Sequence, residues 1–201
     1  MKILLADDHS MIRNGLKLII ESRLGQTEVS EVGSWHAMME ELSRKHFTHL
    51  VLDLNLSDGN TLELIPKIRS LYPDLKIMVF SMQPAEVVGP AMRQYDILYV
   101  LSKTAREDQT IRQFLEFLYD KEPTTRISSL KYPTNPFTEL TIRELKILSY
   151  LLKGNSNSEI ATTLNIKRNT VSTLKKRVFE KTKTASFAEL KQLAELYKMS
   201  G

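Results

Sequence analysis

Three aspartates and a lysine stand where short apolar runs end. Lys2-Ile3-Leu4-Leu5-Ala6 leads straight into Asp7-Asp8, and His49-Leu50-Val51-Leu52 leads into Asp53. A third run, Leu75 to Phe80, ends in Ser81, and a fourth, Ile97 to Leu101, is followed at once by Ser102-Lys103. Apolar runs this short read as strands buried on both faces of a parallel sheet. A carboxylate at such a position costs free energy unless a cation or a metal answers it. Carboxylates gathered at one end of a sheet repel one another, and the usual remedy is a hard divalent cation with oxygen ligands, Mg2+ or Mn2+. One of them can then act as a nucleophile toward a phosphoryl group. Asp53 is the natural acceptor, with Lys103 offsetting phosphoryl charge and Ser81 donating a hydrogen bond to a phosphoryl oxygen.

A second group of residues carries the opposite charge. Lys167, Arg168, Lys175, Lys176, Arg177, Lys181 and Lys183 make 167–183 the most basic stretch of the chain. Val171, Leu174 and Val178 recur at helical spacing within it and face a core, which leaves Ser172, Thr173, Lys175, Lys176 and Phe179 on other faces. A helix of this kind enters a major groove, its cations neutralising phosphates and a few side chains reaching base edges.

The elements that must position these groups follow in order. Helices are expected from Ser10, as a cap, to about Ser22, over Trp35–Lys45, from an Asn60 cap to about Ser70, over 84–94, and over Arg106–Tyr119. Gly89-Pro90 predicts that the fourth is short or irregular. A weaker strand is expected over Glu28–Gly33. Strands and helices alternating in this way make a doubly wound, flavodoxin-like α/β domain with a five-stranded parallel sheet.

Residues 121–137, with Pro123, Pro133 and Pro136, read as a linker. Beyond it Thr141-x-x-Glu144, Ser156-x-x-Glu159 and Ser186-x-x-Glu189 each match a capping box, and Gly154 and Asn165 are helix stops. The segment is a small all-α domain of four helices containing a helix-turn-helix. The domains are expected at 1–120 and 138–201.

The charge balance agrees with that division. Residues 1–120 hold 13 Lys+Arg and 17 Asp+Glu, a balance of −4, whereas 121–201 hold 15 and 7, a balance of +8. The second domain should therefore face a polyanion. The chain has no cysteine, which excludes disulfides and cysteine-ligated zinc. No apolar run is long enough to span a membrane, so a cytoplasmic location is expected.

With those residues in view, 1–120 resembles the receiver domain of a two-component response regulator. Residues 139–201 resemble the four-helix DNA-binding domain of the NarL/LuxR group. The second resemblance rests on Leu140-Thr141-x-Arg143-Glu144, Gly154-x-Ser156-Asn157-x-Glu159-Ile160-Ala161, Leu164-x-Ile166 and Thr170-Val171. The first resemblance implies that Asp7 and Asp8 are the acidic pair for Mg2+, Asp8 the more direct ligand, and that Asp53 is the phosphoacceptor. Asn55 offers its backbone carbonyl to the metal, Ser81 is the switch hydroxyl and Lys103 the strand-five lysine. The second implies Ser172, Thr173 and Lys176 as base readers and Lys175 and Arg168 as phosphate contacts. Partners follow from the two together: a sensor histidine kinase, promoter DNA, and a second copy of the chain along the stripe Phe187, Leu190, Leu193, Ala194 and Tyr197.

Several positions depart from the family pattern. Ser57 stands for the usual Pro, Met82 for Ala, and Tyr99-Val100 for a Gly-aromatic pair ending three residues before the lysine. Lys167 stands for the Ser cap of the recognition helix, Ser172 for a frequent Lys, and Leu174 for a common His. Three further residues are assigned modest roles: His9 a poor lone metal ligand, Asp58 a turn residue, and Tyr99 an edge-strand aromatic against a helix. Two rival functions remain, a regulator that works without phosphorylation and an Asp-nucleophile phosphatase. The departures in the receiver favour the first; the helix-turn-helix argues against the second, and no enzyme turnover on other substrates is expected.

Overall fold

The computed structural model describes residues 1–123, 136–197 and 199. Most of the expected linker, 124–135, lies outside the described residues.

The N-terminal part alternates between strand and helix, apart from a two-residue ladder and a 3-10 turn after its third strand. Its strands are β1 (Lys2–Ala6), β2 (Glu28–Val32), β3 (His49–Leu52), β4 (Lys76–Ser81) and β5 (Tyr99–Ser102). Its helices are α1 (Ser10–Leu24), α2 (Trp35–Arg44), α3 (Ile65–Leu71), α4 (Ala85–Arg93) and α5 (Glu107–Leu118). All pairs of the five-stranded sheet are parallel, in the order β2-β1-β3-β4-β5. The order reverses between β1 and β3, and in such sheets a crevice opens at the carboxyl ends of those two strands. Ile3, Leu5, Val51, Met78 and Phe80 from the sheet bury against Leu16 and Ile20 of α1 and Phe114, Phe117 and Leu118 of α5. Each such side chain contributes about 1.5–3 kcal/mol through burial.

Local details differ from expectation where backbone geometry overrides the cap signals. Ser10 is the first helical residue of α1 rather than its cap, and His9 stands at the cap with no side-chain bond. Asn60 does not cap α3. It pairs instead with Asn55 in a two-residue antiparallel ladder, and a 3-10 turn over Leu62–Leu64 delays the helix until Ile65. Pro66 then falls in the first turn, where it displaces no hydrogen bond. Helix α4 runs through Pro90 without a break, and β5 begins at Tyr99, two residues later than expected.

The C-terminal part contains α6 (Ile142–Leu152), α7 (Asn157–Thr163), α8 (Arg168–Thr182) and α9 (Phe187–Leu196). The first two capping boxes form in both directions. The third is half formed: Ser186 accepts from Glu189 N–H, but the Glu189 carboxylate takes Ala185 N–H instead. Helix α8 packs on α6 and α7 through Val171 and Val178, both fully buried, while Leu174 is only half-buried.

Candidate functional site: an acidic pocket and a basic helix

Strand register assembles the first site. Ala6 pairs with Leu52, so the residues that follow, Asp7 and Asp53, emerge side by side, and Asp53 N–H donates to Ala6 C=O at 2.8 Å. On the other flank Ser81 pairs with Ser102, and Lys103 N–H donates to Ser81 C=O at 2.8 Å. The Lys103 ammonium lies 2.7 Å from Asp53 Oδ2 and 2.7 Å from Asp7 Oδ2. Asp7, Asp53 and Ser81 are all buried, as is the side chain of Lys103. Asp8 is partly exposed at the mouth.

Burial pushes Asp53 up, the hydrogen bond and charge of Lys103 pull it down, and the neighbouring Asp7 raises it again; the balance lies above the ordinary carboxylate value. Asn55 N–H donates to Asp53 Oδ1 at 3.2 Å, and Thr61 Oγ1 donates to Asp53 C=O at 2.9 Å. These bonds hold the loop after β3 in place around the acceptor.

Three carboxylates and one ammonium leave a formal charge of −2, which a divalent cation neutralises. Asp7, Asp8 and Asp53 bring ligand atoms within 4.8 Å of one another, in a mostly oxygen donor set of the kind Mg2+ takes. His9 belongs to the same cluster, its Nδ1 lying 2.6 Å from Asp8 Oδ1 and 3.2 Å from Asp7 Oδ1. The sequence set His9 down as a poor lone ligand, but the bend after β1 brings its ring back beside both carboxylates.

Asp58 is no part of the pocket. It accepts Trp35 N–H at 2.7 Å and His36 N–H at 3.1 Å at the start of α2, whose cap is Ser34, while Ser57 Oγ donates to Gly33 C=O at 2.9 Å. Burial opposes ionisation of Asp58, but the two N–H bonds and His36 outweigh it and hold the carboxyl below its ordinary value. Tyr99 packs its ring against Phe117 of α5, centroids 5.4 Å apart, and its hydroxyl donates to Lys121 C=O. It is an edge-strand aromatic, and Val100, buried, occupies the place of the family's aromatic.

The second site is α8 with the end of the turn before it. Lys167, Arg168, Ser172, Thr173 and Lys176 are exposed and Lys175 is half-buried. The Arg168 guanidinium donates to Ser158 Oγ on α7, and Asn157 Nδ2 donates to Ser172 Oγ at 3.4 Å, so α7 orients the start of α8. Lys175 stands 5.7 Å over the Phe179 ring. The helix is anchored by a half-buried ion pair that its sequence did not announce: Lys181 Nζ lies 2.6 Å from Glu144 Oε2 on α6, the same oxygen that accepts Thr141 N–H at 2.9 Å.

Comparison with known proteins agrees with both halves. Residues 3–116 match the response regulator receiver domain, and 138–194 match bacterial regulatory proteins of the luxR family. A putative transcriptional regulator of Pseudomonas aeruginosa is 28% identical over 98% of this chain and 99% of its own length. The oxygen regulatory protein NreC of Staphylococcus carnosus is 27% identical over 96% of both chains. Among solved structures, RcsB of Salmonella enterica serovar Typhimurium, bound to promoter rprA with phosphomimetic BeF3-, superposes with a TM-score of 0.81 at 23% identity, covering 97% of this chain and 98% of that one. An acidic pocket at the carboxyl ends of a receiver sheet, followed by a luxR-type helix-turn-helix, thus places this chain among the DNA-binding response regulators.

Proposed function

We propose that Asp53 is phosphorylated by a sensor histidine kinase and that the phosphorylated chain binds promoter DNA as a dimer to control transcription. The observation that carries this reading is the Lys103 ammonium shared between Asp53 and Asp7 at 2.7 Å. In the transfer, the P–N bond of a kinase phosphohistidine breaks and an Asp53 Oδ–P bond forms, leaving the histidine neutral after it takes up a proton. Lys103 is poised to follow the new charge onto the phosphoryl oxygens. Ser81, at the end of β4, is the hydroxyl that turns toward them. Asp7, Asp8, Asp53 and the Asn55 carbonyl would hold Mg2+ or Mn2+, and His9 stands beside them. That ion supplies charge neutralisation and orientation for phosphoryl transfer.

DNA contacts fall to Lys167, Arg168, Ser172, Thr173, Lys175 and Lys176, within a domain spanning 138–201 and joined by 121–137 to a receiver of 1–120. The RcsB structures include two dimers bound to two parallel DNAs, and that arrangement supports a dimeric bound state here. Among the described residues no helix is long and apolar enough to cross a membrane, which is consistent with a cytoplasmic site of action. The chain turns over no substrate other than its own phosphoryl group in this reading.

One observation favours a second reading, DNA binding without phosphorylation: Tyr99 is held against Phe117 and Lys121, and Val100 cannot act as the family's mobile aromatic. Intact-protein mass after incubation with acetyl phosphate and Mg2+, with promoter-DNA binding in parallel, separates the two. A phosphoryl mass in the native chain but not in Asp53→Ala, with tighter DNA binding, supports the switch. DNA binding unchanged by phosphorylation, or no phosphorylation by donor or kinase, supports the second reading.

A further inference from the structure

Five helices among the described residues end in one geometry. The residue after the last turn takes a positive φ, its N–H bonds three residues back, and the next N–H bonds five residues back. These residues are Asp96 after α4, Asp120 after α5, Gly154 after α6, Asn165 after α7 and Lys183 after α8. Glycine takes the left-handed conformation freely and Asn and Asp tolerate it, because their short polar side chains bond locally. Lys183, at φ 55 and ψ 37, has neither excuse.

Where Lys183 lies gives a reason for the strain. It lines one groove with Asn157, Ser172, Lys175, Lys176 and Phe179, and thus shares a face with the recognition residues. The one carboxylate of that groove, on Glu180, lies 3.8 Å from Lys176 Nζ, so the cations outnumber it. Lys181, one turn-end neighbour, is committed to Glu144 and to Glu139 C=O. Lys183 is exposed. A residue held in a strained backbone conformation beside a binding surface points to function rather than folding.

We infer that Lys183 contacts a DNA backbone phosphate, clamping the duplex at the carboxyl end of α8 while side chains of earlier turns reach the base edges. This rests on the DNA-binding reading above and adds to it a contact made without regard to base sequence. Lysine beside a helix C-terminus can also serve the helix dipole alone, and the two roles give opposite results on substitution.

The experiment uses the full chain, with and without acetyl phosphate, titrated into a labelled mixed-sequence duplex over a series of salt concentrations. Lys183→Gly removes the charge and relieves the backbone. Its melting temperature should equal or exceed that of the native chain, its affinity should fall several-fold, and the slope of log K against log salt should shrink by about one. Lys183→Arg, which keeps the charge, should keep the slope. Unchanged affinity and slope in Lys183→Gly overturn the inference, as does a loss of affinity that Lys183→Arg shares. A native chain that binds no duplex overturns the DNA-binding reading itself, and the inference with it.

Discussion

Lys103 Nζ meets Asp53 Oδ2 at 2.7 Å inside a pocket where both side chains are almost wholly removed from water. Replacing the lysine by methionine leaves two buried carboxylates facing each other without a counter-charge. Lys103→Met should push Asp53 further above its ordinary value and cost about 3–5 kcal/mol of stability at neutral pH without metal. Carboxyl carbon shifts of Asp53 followed through a pH titration, together with urea unfolding, measure both effects. A variant as stable as the native chain would show that the pair does not hold the pocket together.

Trp35 is the sole tryptophan, and its backbone N–H is held by Asp58, on the loop that follows Asp53. Its fluorescence should therefore change when Mg2+ and beryllofluoride are added, and the beryllofluoride response should vanish in Asp53→Ala. A steady signal through a titration that calorimetry shows to be saturating would refute this coupling. Asp58→Ala should cost about 1 kcal/mol through loss of its bonds to the first N–H groups of α2, which Ser34 still caps, while leaving metal affinity intact.

Glu144 ties α6 to α8 through Lys181 at 2.6 Å. Burial opposes the charge on Glu144, but Lys181 and Thr141 outweigh it and hold the carboxyl below its ordinary value. The pair thus adds stability that is complete above the ordinary glutamate range and disappears on acidification through the lowered value. Lys181→Met should cost about 1–3 kcal/mol and flatten the acid limb of the unfolding curve, with Glu144→Gln/Lys181→Met costing less than the single change. An unaltered acid limb would assign the acid sensitivity elsewhere.

The Tyr99 hydroxyl is pushed up to about 12 by burial, aided by the charges of Glu116, Asp120 and Glu122. The unfolded chain releases that proton near pH 10, so stability falls as pH rises from about 10 to 12. Tyr99→Phe removes this share of the alkaline loss. Absorbance titration of the phenolate and thermal melts across that window test it; identical alkaline melts for both proteins would count against the raised value of the buried hydroxyl.

Lys176 is exposed along α8, so Lys176→Ala should leave the melting temperature unchanged. DNA affinity should fall by about 1–3 kcal/mol if the side chain reads a base edge. A uniform loss across duplex sequences, with a smaller salt slope, would reassign it to a phosphate.

The sequence by itself determined whatever depends on neighbours along the chain. Apolar runs ending in Asp7, Asp53, Ser81 and Lys103 announced the strands and the chemistry at their tips, because a two-face-buried strand admits polar groups only at its end. Thr141 with Glu144 and Ser156 with Glu159 announced helix starts, because a cap and its partner lie within one turn. Tertiary structure decided what depends on residues far apart in the chain or on loop paths. The β1–β3 register set Asp7 beside Asp53, and only that register let one lysine serve both. The Asn55–Asn60 ladder displaced the start of α3, since backbone pairing there outweighed a cap signal. Asp58 came to accept the first N–H groups of a helix that precedes it, His9 turned back into the acidic cluster, and Lys181 found Glu144, because burial and long-range charge pairing have no period along the sequence.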